Sequence, residues 1–72
     1  GDVTIVGMTA GAQITITAAS GAMVHQGTSA GGSYTWNTKD TKGRYVASGV
    51  YMVLMTYADG SKGPTAKIAI VR

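Results

Sequence analysis

A chain of 72 residues without a cysteine is at most one small domain, and no disulfide framework or thiolate metal site can staple it. It must rest on one packed apolar core: 44% hydrophobic residues supply the material, and with 12% charged residues the surface falls to Thr, Ser, Gly and Ala. The net charge of +3 comes from scattered cations, Lys39, Lys42, Arg44, Lys62, Lys67 and Arg72; that is no basic stripe for nucleic acid, and the longest apolar run, Val50 to Met55, is too short to span a membrane.

The dominant period along the chain is two. Val3 and Ile5 alternate with Thr4 and Val6. Ala12, Ile14, Ile16 and Ala18 alternate with Gln13, Thr15 and Thr17, as a half-buried strand requires. Residues 22–26 and Ser33 to Trp36 read as a third and a fourth strand. Tyr45 to Ala47 is a short extended piece. Val50 to Ala58 is apolar on both faces until Thr56, which predicts a central strand covered on both sides near its start. Thr65 to Val71 closes the chain, with Ala66, Ile68 and Ile70 on one face. The expected core includes Ile14, Ile16, Leu54, Ile68 and Ile70, with Trp36 packed in it and Met8, Met23, Met52 and Met55 as filler.

Turn residues separate these runs. Ser20-Gly21, Ala30-Gly31-Gly32 and Asp59-Gly60 mark connections, and Asp-Gly is a strong hairpin signal. Pro64 lacks an amide hydrogen, so it belongs at the entry of an edge strand. The loop from Asn37 to Arg44 is polar, with Asp40 placed to accept from amides two or three residues on and Gly43 to supply positive φ. Next comes Ala47-Ser48-Gly49-Val50-Tyr51, an architectural corner that turns the chain from one sheet to the other. There Gly49 permits a close approach, and Tyr51 can fold back to bond a backbone group as a tyrosine corner does. The expectation is an all-β, Ig-like antiparallel β-sandwich of about six or seven short strands in one domain, 1–72, forming the C-terminal part of a longer protein.

Nothing in the chain assembles into a catalytic site. His25 is the only histidine, and three dispersed acids give it neither a zinc site nor a triad partner. No serine has a nearby base. The Ser29-to-Ser33 segment lacks the Gly-Lys-Ser/Thr ending of a phosphate loop. Calcium in the 37–43 loop competes with Lys39 and Lys42, and a plain turn is the simpler reading. No enzymatic activity, cofactor or metal is expected.

Three stretches carry a family resemblance. The segment YTWNTKDTKGRYVASGVYMV has a Trp, an Asn/Asp-rich turn, a Gly, a hydrophobic pair and then Ser-Gly-Val-Tyr. It resembles the C-terminal Ig-like sorting domains of type IX secretion substrates in Bacteroidetes, and the related Ig-like modules of flagellar hook-capping proteins. VTIVGMTAGAQITITAASGAMVHQ fits the matching strand–turn–strand, and TAKIAIVR resembles the terminal strand. Within the family, the chain is most similar to the C-terminal domains of propeller-type surface proteins. It lacks the Tyr-Pro-Asn-Pro first strand that members usually open with, an omission that would expose a sheet edge for pairing with another chain or a second copy.

The resemblance implies a non-catalytic recognition domain that directs a protein through the periplasm and the type IX system to the cell surface. Its partners would be secretion-machinery proteins and the rest of its own parent chain. By resemblance, the recognition residues are Gly49, Tyr51, Lys67, Ile68, Ile70 and Val71. Two alternatives stand beside it: a structural accessory module of a larger propeller or hydrolase, and a carbohydrate-binding domain using Tyr and Trp.

Overall fold

The computed structural model describes residues 2–71; Arg72, placed by the sequence at the end of the terminal strand, lies outside them. Six strands form: β1 (Val3–Met8), β2 (Gln13–Ala18), β3 (Met23–Thr28), β4 (Gly32–Trp36), β5 (Gly49–Thr56) and β6 (Ala66–Ile70). All pairings are antiparallel. A four-stranded sheet runs β3-β2-β5-β6, and β1 pairs with β4 in a two-stranded sheet. The two layers make the predicted antiparallel β-sandwich.

Register fixes which residues face inward. Ile16 sits opposite His25 on β3 and opposite Val53 on β5; Ala18 faces Tyr51, and Tyr51 faces Ile68. The other layer contributes Val3, Ile5, Tyr34 and Trp36. Ile14, Ile16, Ala12 and Trp36 are fully buried, and Met8, Val46, Tyr51, Val53 and Ile70 complete the core. A bulge at Gly7, which has a φ of 77°, turns the end of β1 so that Met8 points inward.

The long strand β5 departs from expectation. It is central, between β2 and β6, but only one of its faces is covered. Tyr51 and Val53 are buried, whereas Val50 and Leu54 are 50% and 40% exposed. Leu54 is therefore not a core residue: its register partner Thr15 and its parity set it on the outer face of the sheet. The methionines also divide. Met8 is in the core and Met23 is half exposed, while Met52 and Met55 are intermediate.

Turn geometry follows the sequence closely. Gly21, Gly43 and Gly60 all take positive φ. Asp59 accepts from the amide and the hydroxyl of Ser61, which closes the loop after β5. Pro64 precedes β6, an edge strand. Gly49 does not behave as predicted. A Cβ there would meet only Tyr51, at an ordinary 3.9 Å, and its φ is not positive. The corner needs no glycine at that position for steric reasons.

Candidate functional site

The β5–β6 ladder brings together the recognition residues that the resemblance implied. Gly49 lies opposite Ile70, Tyr51 opposite Ile68, and Met52 opposite Lys67. Residues from two segments distant in sequence thus share one end of the four-stranded sheet. They divide by face. Tyr51 and Ile70 are buried and Ile68 is half-buried, while Gly49 and Lys67 are exposed and Val71 is 90% exposed. A partner can touch Gly49, Lys67 and Val71 directly. Tyr51 and Ile70 can act only by holding the strand in place.

Tyr51 forms the predicted corner. Its hydroxyl donates to the Ala47 carbonyl oxygen at 2.6 Å, which ties the segment before β5 to the strand itself. The ring meets Trp36 edge-on at 6.0 Å. The indole N–H of Trp36 donates to the Lys39 carbonyl oxygen at 3.0 Å, so core and loop are joined through one side chain. The loop closes on Asp40, whose Oδ1 accepts from the amides of Lys42 and Arg44. These bonds and the neighbouring cations hold the Asp40 carboxyl below its ordinary value. Thr38, a buried residue of this loop, has a φ of 62°, a conformation β-branched residues rarely adopt. Its carbonyl accepts from the Val46 amide, and its hydroxyl donates to the Asn37 carbonyl oxygen. An open cleft of about 370 Å³ lies between this loop and β5, lined by Val24, Asp40, Arg44, Tyr45 and Tyr51 among others. No group of three His, Cys, Asp or Glu side chains that could hold a metal occurs among the described residues.

A second cluster was not legible in the sequence. His25 Nε2 and the Tyr34 hydroxyl are hydrogen-bonded at 2.7 Å, joining β3 of one sheet to β4 of the other. The imidazole also lies 5.9 Å from the Trp36 ring. Gly27 makes room for this contact, since a Cβ there would come within 2.0 Å of the Tyr34 hydroxyl and 2.5 Å of Cζ. The available signal was a glycine inside a strand, which often marks a close approach. Gly27→Ala is expected to destabilise the protein by about 1–3 kcal/mol through overpacking. In a Tyr34→Ala background the same change should cost little, and urea titration of the four proteins of the cycle measures the difference. Equal costs in both backgrounds would mean that the tyrosine is not what excludes a methyl group.

Burial lowers the His25 pKa below its ordinary 6.5. The charged ring is disfavoured in the folded state, so His25 contributes stability above pH 6.5 that is lost as pH falls through the folded value. The carboxyls of Asp40 and Asp59 are also lowered, but from 3.8, so they act in a separate, more acidic window. The melting temperature should fall as pH is lowered below 6.5, and this drop should be smaller in His25→Phe. A drop retained in full in that variant would assign it to another group.

No family model matches the chain, and no curated protein matches it. Among solved structures, it is similar to part of PorZ, described as an essential bacterial surface component of the type-IX secretion system of human oral-microbiomic Porphyromonas gingivalis. Identity is 33% over 96% of this chain, with a TM-score of 0.82. The chain spans 9% of the length of the PorZ chain. The likeness is consistent with an Ig-like domain related to type IX secretion, as the sequence resemblance implied.

Proposed function

We propose that the chain is a non-catalytic recognition domain that directs its parent protein through the type IX secretion system to the cell surface. The likeness to a segment of a surface component of that system, over nearly the whole chain, carries the reading. The mechanism is recognition of a folded module by its terminal strand. The buried Tyr51 and Ile70, with the half-buried Ile68, hold β6 in register, and the exposed Lys67 and Val71 present it.

The alternative is an accessory module that packs on a larger chain and has no sorting role. It is favoured by the burial of Tyr51 and Ile70, which gives these two residues a sufficient architectural reason to be there. A sugar platform built on Trp36 is disfavoured because that ring is fully buried.

The test fuses the chain, with its native upstream residues, to a reporter carrying a signal peptide in a host with the secretion system. The reporter should reach the surface. A variant with both Lys67→Glu and Val71→Asp changes exposed positions only, so it should keep the fold and leave the reporter in the periplasm. Deleting residues 67–72 also removes Ile68 and Ile70, and so tests fold and recognition together. Normal display of the double variant would remove the terminal strand from sorting and leave the accessory reading.

A further inference from the structure

Trp36 is the chain's only tryptophan and His25 its only histidine, and both belong to a row of rings that crosses the interior. The Trp36 ring lies 5.9 Å from His25 of β3 and 6.0 Å from Tyr51 of β5. The His25 ring in turn lies 5.9 Å from that of Tyr34. Tyr34 and Trp36 are two residues apart on β4, so they project from the same face of the strand. An indole radical cation formed at Trp36 would have two phenols close by as electron donors.

The two phenols differ in what holds their proton. A phenol gives up an electron readily only if its proton leaves with it, so a base has to stand at the hydroxyl. The Tyr51 hydroxyl donates to the Ala47 carbonyl oxygen, and the Trp36 N–H donates to the Lys39 carbonyl oxygen. An amide carbonyl accepts hydrogen bonds but is too weak a base to take the proton. The Tyr34 hydroxyl instead lies 2.7 Å from Nε2 of His25. A neutral imidazole with its proton on Nδ1 accepts at Nε2, and its basicity suits it to take a proton near neutral pH. Burial favours the uncharged ring. Gly27 keeps the approach open, because a Cβ there would fall on the Tyr34 hydroxyl.

We propose that Tyr34 and His25 form a proton-coupled electron donor that repairs one-electron oxidation of the core tryptophan. The oxidant is a diffusible one-electron-oxidising radical, which removes one electron from the indole. One electron then passes from the Tyr34 phenol to the indole radical cation. The phenol O–H bond breaks, and its proton forms a bond to His25 Nε2. The products are a neutral indole, a tyrosyl radical and an imidazolium, so charge is conserved. The thiolate of a small reductant closes the cycle: it gives one electron to the tyrosyl radical, becoming a thiyl radical, and the phenol recovers its proton from His25. Tyr34 is half-buried and reachable from solvent, whereas Trp36 is fully buried. An indole left oxidised would go on to polar products that the core cannot hold. The activity belongs to the space between the layers and is independent of any sorting role.

The experiment photoionises Trp36 with a laser flash at the red edge of the absorption band, where the phenols do not absorb. A scavenger removes the ejected electron, and transient absorption follows the radicals. The indole radical should give way to a tyrosyl radical, more slowly in heavy water than in ordinary water. Tyr34→Phe should leave the indole radical in place, and Tyr51→Phe should change nothing. His25→Gln, which keeps an acceptor but no base, should slow the transfer by about 100-fold or more. Circular dichroism reports that each variant is folded. An indole radical that persists in the unaltered protein overturns the proposal, as do equal rates in the two solvents, and neither reading needs a variant. Transfer that survives Tyr34→Phe, is lost in Tyr51→Phe or keeps its rate in His25→Gln overturns it equally.

Discussion

Trp36→Ala is expected to leave the protein unfolded or close to it. The ring is fully buried, packs on His25 and Tyr51 at about 6 Å, and anchors the 37–46 loop through its bond to the Lys39 carbonyl. Truncating a buried tryptophan to alanine costs about 3–5 kcal/mol, the lost transfer free energy adding to that of the cavity left behind. For 72 residues, typical specific stabilities give a total of about 4–11 kcal/mol. The expected loss is therefore a large share of the whole. Urea unfolding followed by far-ultraviolet circular dichroism measures it without relying on the deleted fluorophore. Trp36→Phe keeps an aromatic ring between the layers while losing the donor to Lys39 and part of the ring volume, so it should cost clearly less than the alanine change. A loss below about 1 kcal/mol for the alanine variant would show that the ring is not held between the layers.

Ile16→Ala should cost about 2–5 kcal/mol, and Leu54→Ala well under half as much. Both are large aliphatics in neighbouring strands of the same sheet, and Val53 and Leu54 oppose Ile16 and Thr15. Ile16 is fully buried and Leu54 is 40% exposed. The difference between the two is a direct reading of which face of the four-stranded sheet the second layer covers. At about 4–8 °C per kcal/mol for a domain of this size, thermal melts would separate them easily. Equal costs would place a covering layer over the outer face as well.

That pair also shows where the sequence stopped being informative. In β2 the alternation of Ile14 and Ile16 with Thr15 and Thr17 named the buried face without ambiguity, because only one face was apolar. In β5 both faces are apolar, and the period alone cannot choose between covering one layer or two. The alternation therefore gives no ground for leaving Leu54 out of the core. Gly49 shows the same limit at a turn: its place before a strand suggested a close approach, yet no atom is near enough to need one. Gly27 carried the opposite lesson, with its close neighbour Tyr34 contributed by a different sheet. The six recognition residues follow from the family resemblance alone. Their meeting at one end of the sheet depends on the β5–β6 register, which no local pattern states.

The sequence by itself determined the all-β character, the number and approximate bounds of the strands, and the turns at Gly21, Gly43 and Gly60. Each of these follows from short-range constraints: alternating side chains, a backbone that needs positive φ, or a proline that cannot donate. Tertiary structure alone decided that two strands lie over four, so that one face of β5 is covered and the other is open to water. It also decided that His25, Gly27 and Tyr34 meet across the layers. The physical reason is that burial belongs to a pair of surfaces, and a strand carries information about only one of them.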